Sequence, residues 1–311
     1  MRKLVIMASV FISLNTEANQ PLYSFSESPI HSNVLSLQLR EAYPNQVGSL
    51  EVKSNYTQAS VWAQTSDYFL DYYQNHVDLA FSYQVNSIWK SEVSLRKVTA
   101  KDNGLDELTM NFHDLFGIGQ NGRDQVPTDQ FYISVPELGI EITDFEGDTL
   151  TRAILSYNEA SILQSGPLFI SAGVTLYYNN VSDGAFARSS FEQGLQVNTT
   201  YLANAHTMHA STGLVHRNSD SSTFALHDTT SFASFGYAYQ IYARHSVLVE
   251  SHNFAGWGEE NVDFSQSSNE LLLGYRYAFM RSILEVYLTE NIRNMDNSTD
   301  IALSLSFRSL F

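Results

Sequence analysis

The sequence predicts an all-β protein, a transmembrane antiparallel up-and-down β-barrel with one short amphipathic helix. Three observations predict it. The chain opens on an export signal, its apolar residues recur with a period of two, and short and long connections alternate between the predicted strands.

The export signal comes first. Arg2 and Lys3 give a positive start, Leu4 to Leu14 form an apolar run, and Thr16-Glu17-Ala18 ends on a small residue. A run of eleven residues is too short to cross a bilayer, so it reads as a signal peptide over 1–18 rather than an anchor. No Cys follows it, which excludes a lipoprotein anchor. Residues 19–46 are then expected as a periplasmic N-terminal segment, and 47–311 as the barrel.

Composition agrees with this reading. The 311 residues contain 18 Tyr and 19 Phe, a heavy aromatic load that suits a membrane–water interface. With 33 acidic against 17 basic residues the formal charge is −16, which makes nucleic acid an unfit partner. The sequence has no Cys, so disulfides, thiolate catalysis and Cys-based zinc sites are excluded. No cofactor and no metal site is expected.

The alternation is plain in four segments. Val77, Leu79, Phe81, Tyr83 and Val85 share one face, against Asp78, Ala80, Ser82 and Gln84. Leu168, Ile170, Ala172, Val174, Leu176 and Tyr178 share another, with Ser171, Gly173 and Thr175 opposite. Leu271, Leu273, Tyr275, Tyr277 and Phe279 face away from Glu270, Leu272, Gly274, Arg276 and Ala278. Leu284, Val286, Leu288 and Ile292 face away from Glu285 and Arg293. A charge facing lipid is costly, so Arg276, Glu285 and Arg293 are expected to point inward.

Tight turns are expected near Asn86-Ser87, Gly166-Pro167, Ala205-His206, Arg244-His245 and Arg281-Ser282. They alternate with long polar stretches at 100–127, 180–189, 218–227, 256–266 and 295–299. Outer-membrane barrels sort their periplasmic turns and outer loops in this way. The count is about fourteen strands. It falls to twelve if 128–135 and 139–147, a short pair interrupted by Pro136, lie in a loop.

Segment 100–127 breaks the pattern. Leu105, Leu108, Phe112, Leu115 and Phe116 have helical spacing, Asp102 and Asn103 offer caps, and Gly117-Ile118-Gly119 ends the run. This helix is expected on the outer rim or folded into the lumen as a plug. The run FHDLFGIGQNGRD at 112–124 resembles a motif of an uncharacterised family of proteobacterial outer-membrane proteins, a domain-of-unknown-function family of about this length. The resemblance extends over most of the mature chain and implies a signal peptide and a barrel, but no activity. It marks His113, Asp114, Arg123 and Asp124 as candidate functional residues, with rim capping and loop ion pairs as the structural alternative.

The last strand, DIALSLSFRSLF at 300–311, puts Ile301, Leu303, Leu305, Phe307 and Phe311 on one face. It is similar to the C-terminal signature read by the outer-membrane assembly machinery, with Ser309 as a departure. Phe307 and Phe311 are therefore the expected assembly signal. Outer-membrane lipid and lipopolysaccharide are the other expected partners.

The favoured function is a pore or transporter for small solutes. Inward charges Asp78, Lys90, Glu92, Arg96, Arg276 and Arg293 would set its selectivity. The rivals are an envelope lipid-modifying hydrolase and a structural or adhesive surface barrel. His206, His209, His216 and His227 cluster in sequence, but His209 and His216 are an odd number of residues apart and face opposite sides of a strand. No catalytic residue is assigned.

Overall fold

A computed structural model describes residues 20–105, 109–111, 114, 123–127, 130–218, 224–258, 265–293 and 299–311. Its strands are β1 (Leu50–Gln64), β2 (Phe69–Gln84), β3 (Trp89–Ala100), β4 (Tyr132–Val135), β5 (Ile140–Thr143), β6 (Thr149–Ser165) and β7 (Leu168–Val181). They continue as β8 (Arg188–Ala203), β9 (His206–Arg217), β10 (Thr229–Tyr242), β11 (His245–Phe254), β12 (Ser268–Phe279), β13 (Ser282–Arg293) and β14 (Ile301–Leu310).

Twelve of the fourteen strands close a ring. β1 pairs antiparallel with both β14 and β2, so the wall has no free edge. A spanning sheet needs this closure, because lipid offers no hydrogen bonds to an open edge. The remaining two strands are the short pair that the sequence flagged at Pro136. β4 and β5 have four residues each, fewer than the nine to eleven that a tilted crossing takes. β4 pairs with Phe69–Asp71 of β2, above the point where β3 ends. The hairpin thus heightens the wall at the long-loop end and does not cross it.

The period of two is physical. Val77 (55% exposed), Leu195 (59%) and Leu273 (53%) stand outward, while Asp78, Gln196 and Leu272 are buried inside. So continuous an apolar exterior is unfit for water and fit for hydrocarbon. At the short-turn end, His206 and His245 pack on Tyr237, Tyr239, Tyr275 and Tyr277, and Phe279 contacts Phe307. This is the aromatic girdle of one interface. No described helix is long and apolar enough to cross a membrane.

The expected helix exists in part: Leu105, Thr109–Asn111 and Asp114 are helical. Asn103 and Arg123 of this segment lie against the outside of the wall. Asn103 donates to Ala59 O at 3.1 Å and to Asn75 Oδ1 at 3.2 Å, and Gln58 donates to Asn103 O.

The interior differs from expectation. Residues 20–43, read from sequence as a periplasmic segment, are all buried, inside the barrel. Gln20 meets Arg308 near the closing end of β14, the short-turn end. The chain rises to a 3₁₀ turn at His31–Asn33 and descends until Asn45 N reaches Gln84 Oε1 at 3.0 Å. Apolar residues Leu22, Tyr23, Phe25, Ile30, Val34, Leu35, Leu37 and Leu39 make water a poor home for it, and the lumen shields them.

Candidate functional site

The lumen and its plug form the site. The plug has no ladder of its own, so its backbone groups need other partners. Side chains of the wall supply them. Leu22 N donates to Glu250 Oε1 at 2.7 Å, Leu35 N to Glu192 Oε2 at 3.0 Å, Arg40 N to Ser211 Oγ at 3.1 Å and Ala42 N to Thr200 Oγ1 at 2.9 Å. Glu270 Oε1 alone accepts from Glu27 N, Ser28 N, Ser26 Oγ and Ser28 Oγ, all within 2.9 Å. Plug carbonyls accept in turn. Tyr23 O takes Tyr287 Oη at 2.8 Å, Glu27 O takes Gln74 Nε2 at 2.6 Å, and Gln38 O takes Gln196 Nε2 at 3.2 Å.

The inward charges chosen from sequence are part of this lattice. Glu92 receives Lys53 of the wall at 2.9 Å and Arg40 of the plug at 2.8 Å. Lys90 reaches Glu41 of the plug at 2.8 Å and Glu159 of the wall at 3.5 Å. Arg96 lies 3.7 Å from Asp78, donates to Ser26 O at 3.2 Å and covers the Phe25 ring at 4.3 Å. Arg276 and Arg308 clamp Glu285 and both donate to Pro21 O. Charges taken out of water need partners, and here the plug provides about half of them. These residues hold the segment rather than line an open channel. For Arg293, only the backbone position at the end of β13 is described.

Shape matches as well as charge. A Cβ on Gly194 would come within 2.6 Å of Leu37 Cδ2, on Gly236 within 2.5 Å of Leu39 Cδ2, and on Gly274 within 2.9 Å of Leu22 Cδ2. These inward glycines are hollows that receive plug leucines, a use of glycine where another part of the chain must come close.

At the plug turn, His76 Nδ1 lies 2.9 Å from Glu27 Oε2. Burial pushes the Glu27 carboxyl up to about 8, against the pull of Arg96. Above the turn the mouth is apolar. Ring contacts run from Tyr72 through Phe145, Phe186 and Phe224 to Trp257.

The motif residues fall elsewhere. Arg123 donates to Asp300 Oδ2 and Ser60 Oγ, each at 2.6 Å, and lies by the Trp62 and Tyr73 rings on the outside of β1 and β2. Asp114 is exposed, Asp124 is described only as backbone in the 3₁₀ turn Arg123–Gln125, and His113 lies outside the described residues. Arg123 is thus apart from the luminal charges. His209 is buried and bonds Thr200, while His216 is exposed and bonds Thr229, on opposite faces as the odd spacing requires. Phe307 and Phe311 stand outward, and Phe311 N donates to Leu50 O at 2.8 Å where the ring closes.

A family model described as "Protein of unknown function (DUF3187)" matches residues 3–311. The chain belongs to that family. No curated protein matches the sequence. Among solved structures, the fold is similar to that of an outer-membrane channel from Pseudomonas putida F1. That likeness has 12% identity and a TM-score of 0.56, and covers 89% of this chain and 100% of that one. The NanC porin has 10% identity and a TM-score of 0.49, with 84% and 98% covered. The KdgM porin in complex with disordered oligogalacturonate has 6% identity and a TM-score of 0.48, with 84% and 99% covered. At these identities the likeness is one of fold.

Sequence reasoning missed the plug and its holders Glu192, Glu250 and Glu270. The signal lay in the inward glycines, which leave a wall unfilled unless something enters, and in the apolar content of 22–39.

Proposed function

We propose that this protein is an outer-membrane pore or transporter for small solutes, closed in the present state by its own residues 20–43. One observation carries the reading. Among the described residues, the segment that fills the lumen is attached to the wall through its C-terminal continuation into β1 and through hydrogen bonds, ion pairs and leucine contacts. All of these except the continuation are reversible. A barrel built only as a scaffold fills its lumen with wall side chains. This one keeps glycine hollows for a segment that can leave. The apolar exterior supports contact with outer-membrane lipid, and lipopolysaccharide is the corresponding partner of the outer leaflet.

Proteoliposome swelling with sugars of graded size tests the proposal. The full chain is expected to admit little, and the chain lacking 20–43 to admit small sugars rapidly. Equal, negligible swelling for both would overturn it. A second variant controls for loss of folding: Cys at Ala42 and Thr200 should lock the plug when oxidised, and the protein has no native Cys to interfere.

A further inference from the structure

The outer end of the lumen carries a pocket lined in part by the tip of the plug. Its apolar lining is Leu150, Phe186, Phe224 and Leu226 of the wall and loops, with Ile30 and Val34 from the plug tip. Its cavity volume is about 20 Å³. Two of its walls are plug side chains, Ile30 and Val34, so a ligand larger than water needs the tip to move aside. With the plug tip in place the pocket has room for about one water, while its lining is of the kind that small-molecule sites have.

Two further features point to an occupant. Ile30 has φ of 62°, a left-handed conformation in which a β-branched residue is strained. The tip is thus held in a conformation it would leave if displaced. Asn33 also lines the pocket and is 7% exposed. Its Oδ1 accepts from Thr151 Oγ1 at 3.3 Å and Ser32 Oγ at 3.4 Å, and its carbonyl accepts from Arg188. Its Nδ2 has no hydrogen-bond partner among the described residues. A buried donor left unmatched in an apolar pocket favours a ligand that brings one acceptor.

We infer that this pocket binds a small, largely apolar solute with a single hydrogen-bond acceptor, of the aryl ketone class. The ligand takes the place of Ile30 against Phe186 and Phe224, accepts from Asn33 Nδ2, and so loosens the tip of the plug. The inference rests on the reading of a plugged solute pore, but its test does not depend on flux.

The test is binding to the full-length protein in detergent, with acetophenone and ethylbenzene as an isosteric pair. Trp257 fluorescence reports occupancy, because its ring meets Phe224 at 5.7 Å. Saturable binding is expected, with acetophenone tighter by about fivefold or more, the value of one matched buried donor. Asn33→Leu should erase that preference and keep ethylbenzene binding. Ile30→Gly, which relieves the strain and vacates the pocket, should tighten both ligands. Absence of saturable binding in both the natural chain and Ile30→Gly would overturn the site. Equal affinity for the pair in the natural chain would overturn the role of Asn33. Failure of the pore reading would show separately, as no gain in swelling on deletion of 20–43.

Discussion

Gly236 is a small residue with a large consequence. Its missing side chain is the space that Leu39 fills, and Glu250 Cγ lies 3.3 Å from where a Cβ would stand. Gly236→Leu is expected to expel the descending limb of the plug at a cost of about 1–3 kcal/mol. The measurement is leakage in the swelling assay; an unchanged, tight barrel would contradict the fit. Glu270 acts through charge in the same way. Its Oε1 gathers four donors of the plug turn, so Glu270→Ala is expected to loosen the turn by roughly 1–3 kcal/mol. Faster proteolysis within 20–43 would show this.

Glu27 adds a dependence on pH. Its carboxyl in place sits at about 8, above the ordinary 4.5, because burial disfavours its charge. The plug contact it makes is therefore full below about 4.5 and is lost as pH rises through about 8. Proteolysis of the segment is expected to quicken between pH 6 and pH 9 in the natural chain. Glu27→Gln should flatten that rise, and the same steep rise in the variant would remove Glu27 from the account.

At the scale of elements, the wall was legible and the plug was not. Hydrocarbon outside forces an apolar residue at every second position, so Val77 to Val85 and Leu271 to Phe279 declare their faces locally. Strand ends followed from the same pattern, and Pro136 marked the one hairpin that does not cross. The plug has no such local signal. Its backbone partners are side chains far away along the chain, as with Leu22 and Glu250, 228 residues apart. A reading that pairs neighbours has no access to them. The sequence pointed instead to 100–127 as a rim helix or plug, because helical spacing is a local feature. Its Asn103 and Arg123 pack outside β1 and β2. The inward charges were legible as inward, yet their role as plug holders was not, because Arg40 and Glu41 were assigned to the periplasm. The last strand was read correctly in place and face. Deleting Phe311 removes a backbone pair with Leu50 at the seam and the terminal aromatic. The yield of assembled barrel is expected to fall, while flux per assembled barrel stays unchanged. Normal assembly of that variant would count against the signature.

For the whole molecule, two selections act on one sequence. The outside is chosen for lipid, and the inside for a segment of the same chain that is held by charge, by glycine hollows and by an aromatic mouth. In the proposed opening, the connection of the plug to β1 keeps it close, so closure is intramolecular and quick to re-form. This arrangement predicts a pore that is shut at rest. Single-channel recording in a planar bilayer tests it most directly. The full chain should show rare or no openings, and the chain lacking residues 20–43 should show a stable, open conductance. A deletion variant that inserts as a folded barrel and carries no current would contradict the account.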